Sequence, residues 1–136
     1  MTGPHMLDTD ICSYIIKSRS PSLAARLSAI PPSLACVSVI TRAELLYGLK
    51  RLPVLHRLHD LVRCFLGIVR VLAWDETAAD RYADVRHSLV TSGNLIGEMD
   101  MMIAAHALAA NAVFVTNNIR QFERVGPGLV LLDWAE

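Results

Sequence analysis

The sequence is poor in features that define several large classes of protein. Aromatic residues supply only 6% of its 136 positions, so leucine, alanine, valine and isoleucine must fill the core. No apolar run approaches the roughly 18 to 20 residues that a membrane-spanning helix needs, and no charged segment leads into an apolar block as in a secretory signal. These absences predict one cytoplasmic domain over residues 1–136, without membrane contact.

Cysteine and histidine do not occur at the spacings of zinc ligands. Cys12, Cys36 and Cys64 lie in apolar runs, which predicts reduced, buried thiols. His56 and His59 are three positions apart on a basic helical pattern and are expected at the surface. A zinc site is therefore not expected.

Net charge is zero, but its distribution along the chain is uneven. Residues 1–70 contain nine Lys and Arg against four acids, and residues 71–136 contain four against nine. The basic residues of the first part are Lys17, Arg19, Arg26, Arg42, Lys50, Arg51, Arg57, Arg63 and Arg70. This pattern fits an ordinary solvated surface or a face for a polyanion, and charge alone favours the solvated surface slightly.

Short apolar runs alternate with helical patterns along the chain. Strands are expected at 6–8, 34–39, 69–72, 113–115 and 129–132. Helices are expected to begin at Thr9, Pro21, Thr41, Val54, Asp75 and Asp100. Strands separated by helices indicate right-handed crossovers, and therefore an α/β domain with a mainly parallel sheet covered on both faces.

Asp8, Glu44 and Asp100 lie in apolar settings and have no Lys or Arg three or four positions away. Other acids also lack such a partner, and these are interpreted as a helix cap and an exposed face: Asp75, Glu76 and Asp80. Asp8 directly follows the first strand, Glu44 follows the second on an apolar helical stripe, and Asp100 begins the helix before Val113–Val115. For Asp100 alone, a helix N-cap is the ordinary explanation. Because helix N-termini and strand ends meet at the carboxyl edge of a parallel sheet, we expect the three acids to converge there, beside Thr116.

Three carboxylates in one place raise one another's pKa, and a divalent cation relieves that repulsion. Oxygen ligands suit Mg²⁺ or Mn²⁺, which keep several waters and bind substrate phosphates. A pair of such ions activates water and stabilises both oxygens of a phosphoryl displacement. The acids therefore predict metal-dependent phosphodiester chemistry.

Five motifs in order carry a family resemblance: MLDTDIC, SVITRAELLYGL, IGEMDMMIAAHALAANAVFVTNN, FERVGPGL and a terminal DW. Together they resemble the PIN-domain ribonucleases, and among these the VapC toxins of type II (VapBC) toxin–antitoxin pairs. The resemblance implies a three-layer α/β/α fold with a parallel sheet of four or five strands. It also implies Mg²⁺- or Mn²⁺-dependent cleavage of RNA, commonly tRNA or ribosomal RNA, that inhibits translation. A cognate antitoxin that inserts a segment into the active site, and a homodimer, are the implied protein partners.

The resemblance also assigns roles to individual residues. Asp8, Glu44 and Asp100 fall on the family's acidic positions, which bind metal and activate water. Thr116 falls on the supporting hydroxyl, and Asn117 beside it is expected to make a further polar contact.

The chain departs from the family pattern at several positions. Asp10 stands where the family usually has asparagine. Many relatives carry a fourth acid where this chain has Asn118 or Gln121, so a second metal ion is expected to bind weakly or only with substrate. Glu98 is a candidate to supply the missing carboxylate as a metal ligand.

Two other functions fit parts of the sequence. MLDTD and VFVTN also look like the first two motifs of haloacid-dehalogenase-type phosphatases, which need a later lysine and a paired-acid motif. The only lysines are Lys17 and Lys50, and Asp133 is the sole aspartate after Thr116, which excludes this class. A catalytically weak PIN-fold module that binds RNA or protein remains the alternative function.

Overall fold

A five-stranded parallel sheet forms the centre of the computed structural model, which describes residues 3–17 and 20–134. Arg19 therefore lies outside the described residues. The strands are β1 (His5–Leu7), β2 (Ala35–Ser38), β3 (Arg70–Leu72), β4 (Val113–Val115) and β5 (Leu131–Leu132). They pair in the order β3-β2-β1-β4-β5, and every neighbouring pair is parallel. The expected parallel sheet is confirmed.

Helices connect successive strands and cover both faces of the sheet. They are α1 (Thr9–Ile16), α2 (Pro21–Ser28), α3 (Val39–Lys50), α4 (Leu58–Ile68), α5 (Glu76–Thr91), α6 (Glu98–Ala109) and α7 (Ile119–Phe122). Successive parallel strands are joined by helical crossovers and not by short hairpins. Strands that are distant in sequence can therefore pair, and β1 lies next to β4 although more than 100 residues separate them. The three-layer α/β/α arrangement is also confirmed.

The alternation of side chains along each strand builds two separate cores. Leu7 of β1 and Val115 of β4 point into a core with α1 to α4, whereas Met6 and Phe114 point into a core with α5 and α6. Since both faces of the sheet are covered, all three residues of β1 are buried, including His5, and β4 is apolar throughout.

Several predicted helix starts were wrong. Helix α3 begins at Val39 and not at Thr41, because the Ser38 hydroxyl accepts a hydrogen bond from the Ile40 amide at 3.1 Å and caps the helix. Helix α4 begins at Leu58; the region around Val54 forms an exposed turn, closed by a hydrogen bond from the His56 amide to the Pro53 carbonyl at 3.0 Å.

Helix α6 also begins earlier than predicted. Gly97 is its N-cap residue, so Asp100 lies within the first turn and does not cap the helix. The N-cap explanation for Asp100 is therefore wrong. The helix ends at Ala109, and Asn111 adopts a left-handed backbone with φ of 52°, which turns the chain into β4.

The three cysteines are free thiols, as predicted, but only Cys12 and Cys36 are buried. Cys64 is exposed on α4, because its apolar neighbours and not the thiol face the core. His59 was expected at the surface, yet it is half-buried and its Nε2 atom is shielded from solvent. In the described part of the chain, no helix is both long and apolar enough to cross a membrane.

Candidate active site

The carboxyl ends of β1 and β4 place Asp8 against Thr116. Asp8 is only 4% exposed, and its backbone amide donates a hydrogen bond to the Val115 carbonyl at 2.9 Å. The buried Thr116 hydroxyl donates from Oγ1 to Asp8 Oδ2 at 2.8 Å and accepts from the Asn118 amide at 2.9 Å. Asp8 is thus held by two neighbouring strands rather than by a flexible loop.

Glu44 on α3 is held by Thr9, the residue after Asp8. The Thr9 hydroxyl donates to Glu44 Oε1 at 2.6 Å, and it lies 3.0 Å from the hydroxyl of the buried Thr41. Since a hydroxyl has one proton, Thr41 must donate to Thr9. Sequence reasoning missed Thr9, although its place directly after Asp8 at the start of α1 was the available signal.

Asp100 faces the turn that follows β4. The Gln121 side chain donates from Nε2 to Asp100 Oδ2 at 2.7 Å, and the Asn118 side chain donates to Gln121 Oε1 at 3.0 Å. A Cβ atom added at Gly97 would lie 3.3 Å from the same Asp100 oxygen, so this cap position has little room for a side chain. Both neutral residues of the turn are therefore in the network that holds Asp100.

The acids act on one another electrostatically. Burial raises the pKa of Asp8 to about 6, with repulsion from Asp10 and Asp100 adding to the effect and the Thr116 hydrogen bond opposing it. Burial also raises the pKa of Glu44, again reinforced by Asp100 and Asp10 and opposed by Thr9. The structure thus brings Asp8, Glu44 and Asp100 into one region, with Asp10 as a fourth acid.

The donor set fits a hard divalent cation that keeps much of its water. Within residues 3–17 and 20–134, no three His, Cys, Asp or Glu side chains lie close enough to enclose a metal ion by themselves. Mg²⁺ is usually held by one or two carboxylates with waters and substrate phosphates, whereas a structural zinc site needs a closed set of four ligands. The buried Asp8 carboxylate, with Asp100 beside it, therefore suits Mg²⁺ or Mn²⁺ and not zinc.

The remaining predicted site residues have different surroundings. Asn117 is half-buried next to Thr116. Glu98 is exposed and accepts hydrogen bonds from Tyr82 at 3.0 Å and from Arg86 at 3.2 Å, an ion pair between α6 and α5. Because both contacts are to Glu98 Oε1 and bind this side chain to α5, we leave it out of the metal site proposed below.

The fold agrees with a comparison against protein families. The PIN domain family matches residues 5–127 of the chain. Since this match spans most of the sequence, the chain belongs to the PIN domain family.

Individual relatives define the group more narrowly. A "tRNA(fMet)-specific endonuclease VapC" of Shigella flexneri is 37% identical over 130 residues, which cover 96% of this chain and 97% of the relative. DNA-bound VapBC from Salmonella typhimurium contains a chain with a TM-score of 0.90 and 36% identity, covering 98% of this chain and 99% of the other. VapBC2 from Rickettsia felis, bound to promoter DNA, gives a TM-score of 0.86 and 32% identity, with 96% and 98% covered. Within the PIN family, the chain therefore groups with the VapC ribonucleases.

Proposed function

We propose that this protein is the endoribonuclease toxin of a toxin–antitoxin pair and hydrolyses RNA phosphodiester bonds with Mg²⁺ or Mn²⁺. The observation that carries the proposal is the convergence of Asp8, Glu44 and Asp100, which come from three separate segments; the charge of Asp100 adds to the effect of burial in raising the pKa of both Asp8 and Glu44. The similarity to VapC ribonucleases supports RNA as the substrate. We place the activity in the cytoplasm, where it would stop translation.

Each acid has a role that follows from its surroundings. Asp8 and Asp100 would hold the cation, which when bound supplies a more acidic water and positive charge beside the scissile phosphate. Glu44 would orient and deprotonate the attacking water, since burial raises its proton affinity above that of an ordinary glutamate. Thr116 keeps Asp8 in place, and Asn117 would contact the substrate or the turn beside it.

A groove of about 440 Å³ between α1, α3 and α4 leads to the site. Thr9 and Glu44 line it together with Leu45 and Leu49, and Lys17 and Arg51 add positive charge. We assign RNA phosphate contacts to this basic side; such contacts are independent of sequence, so RNA binding should weaken steeply with salt.

The same groove suits a segment of the cognate antitoxin. Its lining combines apolar side chains, among them Leu45 and Leu49, with the Glu44 carboxylate, so an inserted chain would cover both. The VapBC complexes of the relatives support an antitoxin partner of this kind. We also propose that the toxin forms a homodimer within that assembly.

The substrate of the Shigella flexneri relative selects the first RNA to test. The purified chain, freed of antitoxin, is incubated with initiator tRNA, total tRNA and ribosomal RNA, each with Mg²⁺, Mn²⁺ or EDTA. We expect cleavage of at least one RNA with either cation, none with EDTA, and at least a 100-fold loss in Asp100→Asn.

The control for that loss is Glu123→Gln, which removes the same charge at an exposed position. Circular dichroism and thermal unfolding establish that both variants fold. Undiminished cleavage in EDTA would contradict the metal-dependent mechanism. RNA binding without any cleavage would support the alternative, a catalytically weak binding module.

A further inference from the structure

Gln121 is an uncharged polar residue whose side chain contacts the Asp100 carboxylate. It is half-buried on α7, and its Nε2 atom lies 2.7 Å from Asp100 Oδ2, a short distance typical of hydrogen bonds to a charged acceptor. Gln121 lies 21 positions after Asp100, and the chain between them runs from the first turn of α6 through β4 to α7.

The orientation of the Gln121 amide follows from its other contact. Asn118 Nδ2 donates to Gln121 Oε1 at 3.0 Å, so Nε2 must face Asp100. Asn118 is itself held by its backbone amide, which donates to the Thr116 hydroxyl that supports Asp8. A continuous set of hydrogen bonds thus joins the Asp8 and Asp100 carboxylates through one turn.

A second cation bound to Asp100 would need a further negatively charged ligand on the side of the cation that faces away from Asp100. Two-ion centres place their ions about 3.5 to 4 Å apart, and carboxylates between and beside the ions offset the repulsion. Here an uncharged N–H donor occupies Oδ2, and it presents partial positive charge where the second ion would need a ligand. Among the described residues no hydrogen bond is made to the other oxygen of Asp100, so that oxygen is better placed to bind a metal ion.

We propose that Gln121 is a positioning residue that directs Asp100 to one divalent cation, shared with Asp8, and prevents a second cation from binding at Asp100. The inference rests on the proposed function for the identity of the site as a metal centre. It goes beyond that function by proposing that one neutral side chain, Gln121, sets how many divalent cations the site binds.

The test replaces Gln121 by residues of nearly equal size and counts bound ions. Gln121→Glu exchanges the donor for a carboxylate oxygen next to Asp100, and a divalent cation between the two acids would relieve their repulsion. Gln121→Met keeps the length and removes the donor. Asn94→Asp adds the same charge on an exposed loop between α5 and α6, and is the matched control.

Mn²⁺ alone is titrated into each full-length protein, with calorimetry for heat and electron paramagnetic resonance for the free ion. We expect one ion per chain for the unmodified protein and for Asn94→Asp, with equal affinity. Gln121→Glu should bind two ions per chain. Gln121→Met should bind one ion about 10-fold more weakly, the usual effect of losing a partner that orients a metal ligand.

Two ions in the unmodified protein, or one ion in Gln121→Glu, would overturn the inference. Unchanged affinity in Gln121→Met would overturn the positioning role. Thermal unfolding of all variants is recorded with and without Mn²⁺, because the added charge in Gln121→Glu is expected to lower stability when no metal is bound. The number of Mn²⁺ ions bound by the unmodified protein tests the inference independently of that variant. RNA cleavage that ignores the cation would instead overturn the proposed function, while the ion counts would stand.

Discussion

Replacing Asp8 by asparagine should make the protein more stable at neutral and alkaline pH while abolishing its activity. Folding raises the pKa of Asp8 from 3.8 to about 6, so the folded state holds the proton more tightly than the unfolded chain. The favourable contribution of the protonated carboxyl is complete below about pH 4 and is lost as the pH rises through about 6. A shift of roughly two units corresponds to about 3 kcal/mol, which is the expected gain in Asp8→Asn at pH 8.

The asparagine preserves the shape of the site, because its carbonyl oxygen can still accept the Thr116 hydrogen bond. Asp8 is 4% exposed, so solvent screens the effect little. Urea unfolding in EDTA is followed from pH 4 to pH 8 for both proteins. The difference in free energy of unfolding should grow with pH and level off above about pH 7.

Two controls make this result specific. Asp84→Asn removes a charge from an exposed position on α5 and should change stability by less than about 0.5 kcal/mol. Excess Mg²⁺ should stabilise the unmodified protein but not Asp8→Asn, and should therefore reduce the difference in their free energies of unfolding. A variant that is less stable at pH 8, or a difference independent of pH, would refute the reasoning.

Two further changes test the supports of the site. Thr116→Val removes the hydrogen-bond donor to Asp8 at nearly constant volume and should lower kcat for RNA cleavage at least 10-fold. Thr116→Ser keeps the hydroxyl and should retain the kcat of the unmodified protein. Equal kcat values for all three proteins would contradict this role. His106→Leu breaks the buried 2.7 Å hydrogen bond between His106 and Ser38, the cap of α3, and should cost about 1 to 3 kcal/mol in urea unfolding. The exposed His87→Leu should cost less than 0.5 kcal/mol, and equal losses in the two variants would show that the bond is unimportant.

Much of the sheet could be predicted because its signals are local. The run Val113–Val115 was placed correctly, since three apolar β-branched or aromatic residues between an asparagine and a turn have few other structures available. Its position next to β1 could not be read from any local pattern. That pairing depends on the crossover of the whole chain around the sheet.

Helix starts were less predictable, because competing caps lie close together. Both Ser38 and Thr41 are good N-cap residues, and the end of β2 selects Ser38. At α6, Asp100 has the right chemistry for a cap, yet the helix begins at Glu98 after Gly97. In each case the boundary depends on where the neighbouring strand or loop ends, which is a property of the assembled sheet.

By itself, the sequence determined which acids lack a local partner, because charge pairing on helices extends over only three or four positions. Together with their apolar setting and their places near strand ends and helix starts, this singled out Asp8, Glu44 and Asp100. Only the tertiary structure decided what holds each carboxylate: Thr9 for Glu44 across 35 positions, and Gln121 for Asp100 across 21. The physical reason is that a hydrogen bond requires atoms within about 3 Å, and distant segments reach that distance only when the sheet and its crossovers are assembled.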